Sequence, residues 1–457
     1  MLCAGMLMII LDQTIVTVAL PSIQHDLGFS SSGLAWVVNA YVIPFGGLLL
    51  LFGRLGDLVG RGRVFVAGLV LFTLASLACG LAGNAPELIA ARFVQGIGGA
   101  TTSAVVLGMI VPMFPEARER ALAIGVYSFV GAAGASVGFL LGGALTEALN
   151  WHWIFFVNVP IGLLVGALAV RLAPAGRGEG LRAGADVAGA VLGTAGLMVG
   201  VYAIVRTSDY GWGSAQTLGW GAAAVVLLGG FLARQATAAN PLLPLRIFRS
   251  RNVSAGNGIQ ALMVAAMIGY QFLSMLYLQQ VLGYGPARAG LAVAPTAVVI
   301  GIVSLGFSAR LNGRFGPRAV LLAGLALIVA GLLLVARVPV HGRYPVDLLP
   351  ALVLLGLGGG LTLPAVTTLA MSGATPSDSG LVSGLVNTVQ QVGAALGLAV
   401  LATLADSRTD QLRDAGHADA AALTSGYHLA FVTAAGAVAA AFLLAVVALR
   451  RPATARD

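Results

Sequence analysis

Apolar residues run along this chain in blocks of roughly 18–25, the length an α-helix needs to cross about 30 Å of hydrocarbon. Short polar segments separate the blocks. They predict fourteen helices, near 1–20, 33–53, 63–83, 87–112, 120–146, 153–172, 186–205, 216–234, 252–281, 288–309, 318–337, 346–371, 379–404 and 426–449. A spanning barrel would instead need segments of about ten residues with alternating polarity, and none is present. The pattern predicts an all-α polytopic membrane protein.

Composition agrees. Hydrophobic residues make up 58% of the 457 positions and charged residues 9%, against about 25% charged in soluble domains. The 63 glycines suit close helix packing in a bilayer. All 25 basic residues are Arg. With the amino terminus inside, 18 of them fall on inner segments and six on outer ones, with Arg92 inside a helix. That bias follows the positive-inside rule and accounts for the net charge of +8 without a nucleic-acid partner. It predicts both termini on the cytoplasmic side of the cell membrane. The first block ends in "VALP" with no small-residue cleavage site, so it reads as a retained helix and not a removed signal.

The chain echoes itself. "GRLGDLVGRGRV" at 53–64 is similar to "ARLNGRFGPRAV" at 309–320, "GIGGATTSAV" at 96–105 to "GLGGGLTLPA" at 356–365, and Gly134 and Gly138 recur as Gly393 and Gly397. The offsets are 256, 260 and 259, in the same order along the chain. This predicts a six-helix bundle over 1–175, two extra helices within 176–250, a second six-helix bundle over 251–451 and a cytoplasmic tail at 452–457. Parallel repeats of this kind are a transporter architecture, with the substrate site near the midplane between halves.

Asp12 is the first candidate for chemistry. An ionisable side chain in the middle of a spanning block faces a water-filled path or a partner. Desolvation disfavours the charged carboxylate and a nearby cation favours it, so one group can exchange a proton for a cation. The alternative is a structural Asp held by neighbouring hydroxyls. Arg92 begins a stripe with Gln95, Gly99 and Ser103 on one helical face. It needs an acceptor: it pairs with Asp12, binds a water network or snorkels to a membrane surface. Gly53, Gly56 and Gly60 permit a tight inner turn, in which Asp57 pairs with Arg61 or caps a helix. Gly134, Gly138 and Gly142, four apart, predict a close-packing seam. Gln95, Asn257, Gln260, Gln271 and Tyr277, with Asn387 and Gln391, supply amides and an aromatic among Met residues, an adaptable wall for a substrate. Asp347, Asp378 and Asp406 are read as lying at helix ends or in loops. With no second deep carboxylate, the expected substrate is a small lipophile, monovalent-cationic or neutral. The two Cys have no ligand spacing and the five His lie in loops or at helix ends, so neither a metal site nor an H-E-x-x-H enzyme is predicted. The glycine runs lie inside spanning helices without a preceding strand or a phosphate-binding Lys, which excludes a nucleotide loop.

These stretches carry a resemblance. "LDQTIVTVALP" (11–21), "GRLGDLVGRGR" (53–63), "RFVQGIGGA" (92–100) and "WHWIFFVNVPIG" (151–162) resemble motifs of the major facilitator superfamily, and within it the fourteen-helix drug:proton antiporter family. "YLQQVLGYGPARAGLAVAP" (277–295) and "NTVQQVGAALG" (387–397) are similar to second-half features of that branch. The chain departs from the family pattern at Phe139, where the fifth-helix motif has Pro, at Thr17 for Asn and at His152 for Arg. The resemblance implies multidrug efflux by alternating access, with Asp12 carrying the proton and Arg92 assisting. It also implies that Gly53, Arg54, Gly56, Asp57, Gly60 and Arg61 bias the conformational equilibrium. The proton gradient is then the energy source, no cofactor is needed, and membrane lipid surrounds a monomer. A proton symporter or facilitator of a small polar nutrient on the same fold is the alternative, kept open by Phe139.

Overall fold

The computed structural model describes residues 1–113, 116, 130, 134, 137–172, 180, 185–239, 241–243, 245–371 and 379–449. These form α1 (Leu2–Leu27), α2 (Ser31–Val59), α3 (Arg61–Gly80), α4 (Ala85–Met113), α5 (Val137–Ala148), α6 (Trp153–Phe156), α7 (Asn158–Leu172), α8 (Val187–Val205), α9 (Thr207–Tyr210) and α10 (Ala215–Thr237). They continue with α11 (Arg251–Leu276), α12 (Pro286–Ile302), α13 (Ser308–Phe315), α14 (Pro317–Val335), α15 (Leu349–Met371), α16 (Ser379–Asp414) and α17 (Asp419–Ala448). Among the described residues, twelve helices are long and apolar enough to cross a membrane. The fourth predicted helix is present as α4, with 29 residues. Of the fifth, only the end is described, and the inner Arg118, Arg120, Arg177 and Arg182, Asp378 and the tail at 452–457 lie outside the described residues.

Helix ends follow local chemistry. Ser30, Ser214 and Ser250 accept from the backbone N–H groups of Gly33, Thr217 and Val253 and so cap α2, α10 and α11. Gly28 closes α1 in the left-handed region. Several helices outrun their apolar blocks, α1 and α16 among them. Pro21 interrupts one hydrogen bond of α1, but the polar stretch to Leu27 stays helical. The polar run "DSRTDQLRD" likewise extends α16 to Asp414. Asp406 was expected at a helix end or in a loop. It lies two turns inside α16 and is buried.

Two compact units emerge, Met1–Leu242 with Gly283–Leu291, and Leu243–Leu282 with Ala292–Asp457. The first holds α8 and α10 as well as the first repeat. The repeat is visible in the packing of each unit. In the first, a Cβ on Gly68 of α3 would stand 2.6 Å from the backbone nitrogen of Thr102 on α4, and one on Gly98 of α4 would stand 2.5 Å from that of Phe72. In the second, Gly324 of α14 meets Thr362 of α15, and Gly358 meets the backbone nitrogen of Ile328 at 2.9 Å. Each partner is shifted by the offset read from the sequence, 256 for α3 onto α14 and 260 for α4 onto α15. Gly134, Gly138 and Gly142 face Leu7 and Ile10, Leu11 and Thr14, and Ile15 of α1. Gly393 and Gly397 of α16 face Ala261 and Ala265 of α11. The third contact is reversed: Gly269 sits on α11 and receives Leu401 of α16. Here the offsets are 259 for the glycine helix and 254 for its partner. Small residues at matched positions therefore bring the same helix pairs together in both units.

Candidate functional site

Asp12 lies near the middle of α1 and has no exposed surface. Arg92, on the second turn of α4, is 1% exposed. Gly96 and Gly99 let α2 approach α4 closely, with a Cβ on Gly96 only 2.8 Å from the ring of Pro44. That approach places the Val37 carbonyl 3.0 Å from Arg92 Nε and the Tyr41 ring 4.4 Å from its guanidinium carbon. Phe155 of α6 lies on the same group at 5.7 Å. Arg92 Nη1 donates to Asp12 Oδ2 at 2.6 Å and to Gln95 Oε1 at 2.7 Å. Of the partners left open by the sequence, the carboxylate is the one the fold supplies.

The other carboxylate oxygen accepts from two amides. Gln95 Nε2 and Asn158 Nδ2 both stand 2.8 Å from Asp12 Oδ1. Gln95 Nε2 also donates to Ser76 Oγ at 2.8 Å, and Ser76 in turn donates to the Phe72 carbonyl. The Cys79 thiol donates to Gln95 Oε1 at 3.6 Å. Asn158 reaches the site because its helix is broken: Pro160 has no N–H for the Phe156 carbonyl, and α6 ends there, with α7 starting at Asn158. An ion pair shielded from water is tolerable when its remaining hydrogen-bonding groups are satisfied, and three donors on Asp12 do that.

Asp12, Arg92 and Gln95 are thus brought together. Asn158, Ser76, Tyr41 and Cys79 join them without having been singled out. Neutral polar residues are common in spanning helices, and only the position of Asn158 before "VP" in an apolar run marks it out.

The other predicted residues lie elsewhere. Asn257 and Gln260 are buried on α11, where Asn257 Nδ2 bonds its own helix at the Val253 carbonyl. Asn257 extends the Ala261–Ala265–Gly269 stripe that packs on α16. Gln271 is half-buried, Asn387 exposed and Gln391 half-buried. Tyr277, in the π-helical turn that follows α11, has no exposed surface, and its hydroxyl donates to the Pro339 carbonyl at 2.6 Å, tying that turn to the segment after α14. Arg61 Nη2 and Asp57 Oδ1 pair at 2.8 Å across one helical turn, around Gly60 with φ of 111°. Gly316 holds a positive φ at the matched place in the second unit. Gly56 abuts Val105 of α4, and Gly53 lies 4.0 Å from the Ala104 carbonyl by its would-be Cβ. Arg54 lies between them near the end of α2 and is half-buried.

A second polar node ties α8 to α10. Asp186 caps α8 at Gly189 N and accepts from Arg234 Nε at 2.9 Å and Gln235 Nε2 at 2.8 Å. Burial pushes its carboxyl up, but these three donors and the charge of Arg234 outweigh it and hold the group below the ordinary carboxylate range.

The Major Facilitator Superfamily profile matches residues 2–398. The chain is 39% identical to the cephamycin export protein of Amycolatopsis lactamdurans, over 100% of this chain and 92% of that protein. It is 38% identical to a puromycin resistance protein of Streptomyces alboniger, over 97% and 89%, and 34% identical to a tetracenomycin C resistance and export protein of Streptomyces glaucescens, over 88% and 74%. Among solved structures, a peptide transporter in complex with sulfate shares the fold with a TM-score of 0.71 at 16% identity, over 97% of this chain and 92% of that one. A bacterial homologue of the human lysosomal transporter Spinster does so with a TM-score of 0.68 at 18% identity, over 99% and 98%. The chain is a multi-pass membrane protein and belongs to the major facilitator superfamily.

Proposed function

We propose that the chain is a proton-coupled exporter of small amphipathic molecules, working by alternating access, with Asp12 as the proton seat and Arg92 as its partner. One observation carries the reading. At the offsets established by packing, Asp12, Ser76, Arg92 and Gln95 correspond to Ala266, Leu332, Leu352 and Leu355 in the second unit, all of them apolar and at most 1% exposed. At these four positions the same helix arrangement is therefore built from apolar side chains in one repeat and around a buried ion pair in the other. A buried ion pair adds little net stability over well-packed apolar residues, and an ionisable group at membrane depth marks a transport pathway. The carboxylate is needed for something other than the fold.

Protonation of Asp12 neutralises its half of the pair and weakens the hold on Arg92. Loss of the proton, or arrival of a cation, restores the charge. Coupling follows from that competition. The relatives named for cephamycin, puromycin and tetracenomycin C support outward transport of amphipathic compounds, and a lipophilic monovalent cation or neutral molecule is the substrate class that the one carboxylate of this cluster suits. The Gly53–Arg61 turn, with its Asp57–Arg61 pair, biases the two access states. Both termini face the cytoplasm across the cell membrane, lipid surrounds the chain, it acts as a monomer, and the proton gradient is its only energy source.

The test is proton release from purified protein in lightly buffered detergent on adding a lipophilic phosphonium cation. Wild type is expected to release protons and Asp12→Asn to release none. In proteoliposomes an inward-directed proton gradient drives the cation out of the cytoplasmic side. Release that persists in Asp12→Asn removes the proton seat, and transport of substrate in the same direction as the proton replaces export by symport.

A further inference from the structure

We infer that Asn158 is a two-way hydrogen-bond partner of Asp12, its side-chain amide donating to the carboxylate and turning over to accept from the carboxylic acid. The inference rests on the reading of Asp12 as the proton seat. Every group on Asp12 in the charged state is a donor: Arg92 Nη1 on Oδ2, Gln95 Nε2 and Asn158 Nδ2 on Oδ1. A proton arriving from water on Oδ1 makes a new O–H bond, and that hydrogen needs an acceptor. A buried donor without one is costly.

Two of these three groups cannot supply it. Arg92 has donors only. Gln95 is locked: its Oε1 already accepts from Arg92 and Cys79, while its Nε2 faces Ser76, whose own hydrogen is committed to the Phe72 carbonyl. Turning Gln95 would break all of these. The third, Asn158, is different. It has no exposed surface, it holds Asp12 through Nδ2, and its Oδ1 is buried with no hydrogen-bond partner. A half-turn of this amide about its terminal torsion, which is broad and roughly two-fold, loses no other bond. It brings a free acceptor onto the protonated oxygen. Arg92 keeps Oδ2 throughout, so the guanidinium selects Oδ1 as the oxygen that takes the proton. Asn158 is a positioning residue: it offers a donor to the carboxylate and an acceptor to the acid, so that Asp12 Oδ1 is paired in both protonation states.

The experiment is acid-induced difference infrared spectroscopy on the full chain in lipid, comparing wild type, Asp12→Asn, Asn158→Thr and Asn158→Val. Acidification of wild type is expected to raise a carboxylic-acid carbonyl band, lost in Asp12→Asn, and with it to move an amide carbonyl band to lower wavenumber, lost in Asn158→Thr and in Asp12→Asn. Thr can donate and accept in turn, and Val has nearly its shape with neither ability. The Thr variant therefore keeps the wild-type pH profile of proton-coupled efflux. The Val variant loses a bond in both protonation states, so its turnover falls about tenfold or more while the midpoint stays within about half a pH unit. A static donor to the carboxylate predicts otherwise: no amide band, and a Val profile displaced upward by about one to two pH units. Either result overturns the switch. A carboxyl band that survives Asp12→Asn, or none in wild type, overturns the proton seat itself. A carboxyl band that behaves as expected beside a motionless amide overturns the switch alone.

Discussion

The guanidinium of Arg92 distributes its donors over the Val37 carbonyl, Asp12 Oδ2 and Gln95 Oε1 while lying against the Tyr41 ring. Lysine has one compact ammonium and cannot reproduce that fork. Arg92→Lys is expected to fold but to lose most proton-coupled transport, measured as efflux in proteoliposomes. Arg92→Ala leaves Asp12 charged and buried without its cation, which costs about 3–5 kcal/mol. Combining it with Asp12→Asn removes the stranded charge, so the double variant should melt at a higher temperature than Arg92→Ala alone. A double variant no more stable than the single one would show that the pair is not the dominant interaction. The two charged members of this cluster were legible in the sequence because ionised groups stand out against apolar blocks. The neutral members were not. Asn158, Ser76 and Tyr41 look like ordinary helix residues until α7, α3 and α2 converge around Asp12 and Arg92, and that convergence is a tertiary fact.

At the level of elements, the glycine seam was readable from its spacing of four, but its partner helix was not. The contact with α1 separates two kinds of glycine that look alike in the sequence. A Cβ at Gly142 would stand 2.7 Å from the Ile15 carbonyl, whereas at Gly229 of α10 nothing lies within 4 Å. Gly142→Ala is expected to destabilise by about 1–3 kcal/mol through overpacking. Gly229→Ala should be neutral or stabilise by up to about 1 kcal/mol, as Ala does in a helix. Thermal melts in detergent decide it, and equal effects would remove the seam. The α8–α10 clamp was missed because Asp186, Arg234 and Gln235 read as loop and helix-end polar residues. Its pH dependence follows from the sign of the shift. Asp186 is held below its unfolded value of about 3.9, so its contribution is complete above that pH and disappears as pH falls through the folded value. The melting temperature of wild type should exceed that of Asp186→Ala by a margin that is constant near neutrality and closes below about pH 4. A margin independent of pH would mean that the charge of Asp186 contributes nothing.

For the whole molecule, the arginine bias and the repeat were both legible, because each is a property of many residues at once. Offsets of 256 and 260 found in the sequence reappear as matched contacts, Gly68 with Thr102 and Gly324 with Thr362. What the repeat hid was its own asymmetry: similarity between halves draws attention to glycines, while the buried ion-pair cluster lies where the halves differ. Orientation is the remaining property at this scale. Among the described residues of the first unit, Arg54, Arg61, Arg63 and Arg234 stand at one set of helix ends and Arg206 and Arg288 at the other; in the second unit, taken by itself, Arg246, Arg249, Arg251, Arg310, Arg314 and Arg318 stand at one set and Arg337, Arg343 and Arg413 at the other. Short loops with more Arg stay in the cytoplasm. The extension of α16 to Asp414 leaves this alternation intact, since Arg408 and Arg413 ride on its final turns and α17 returns to the arginine-rich side. Gly213, before α10, and Ala239, after it, are exposed on opposite ends of that helix. In a chain with Cys3 and Cys79 replaced, Gly213→Cys should react with a membrane-impermeant maleimide on intact cells. Ala239→Cys should react only after the membrane is opened. The reverse pattern would turn the protein over, and with it the direction in which a proton gradient across the cell membrane could drive export through Asp12.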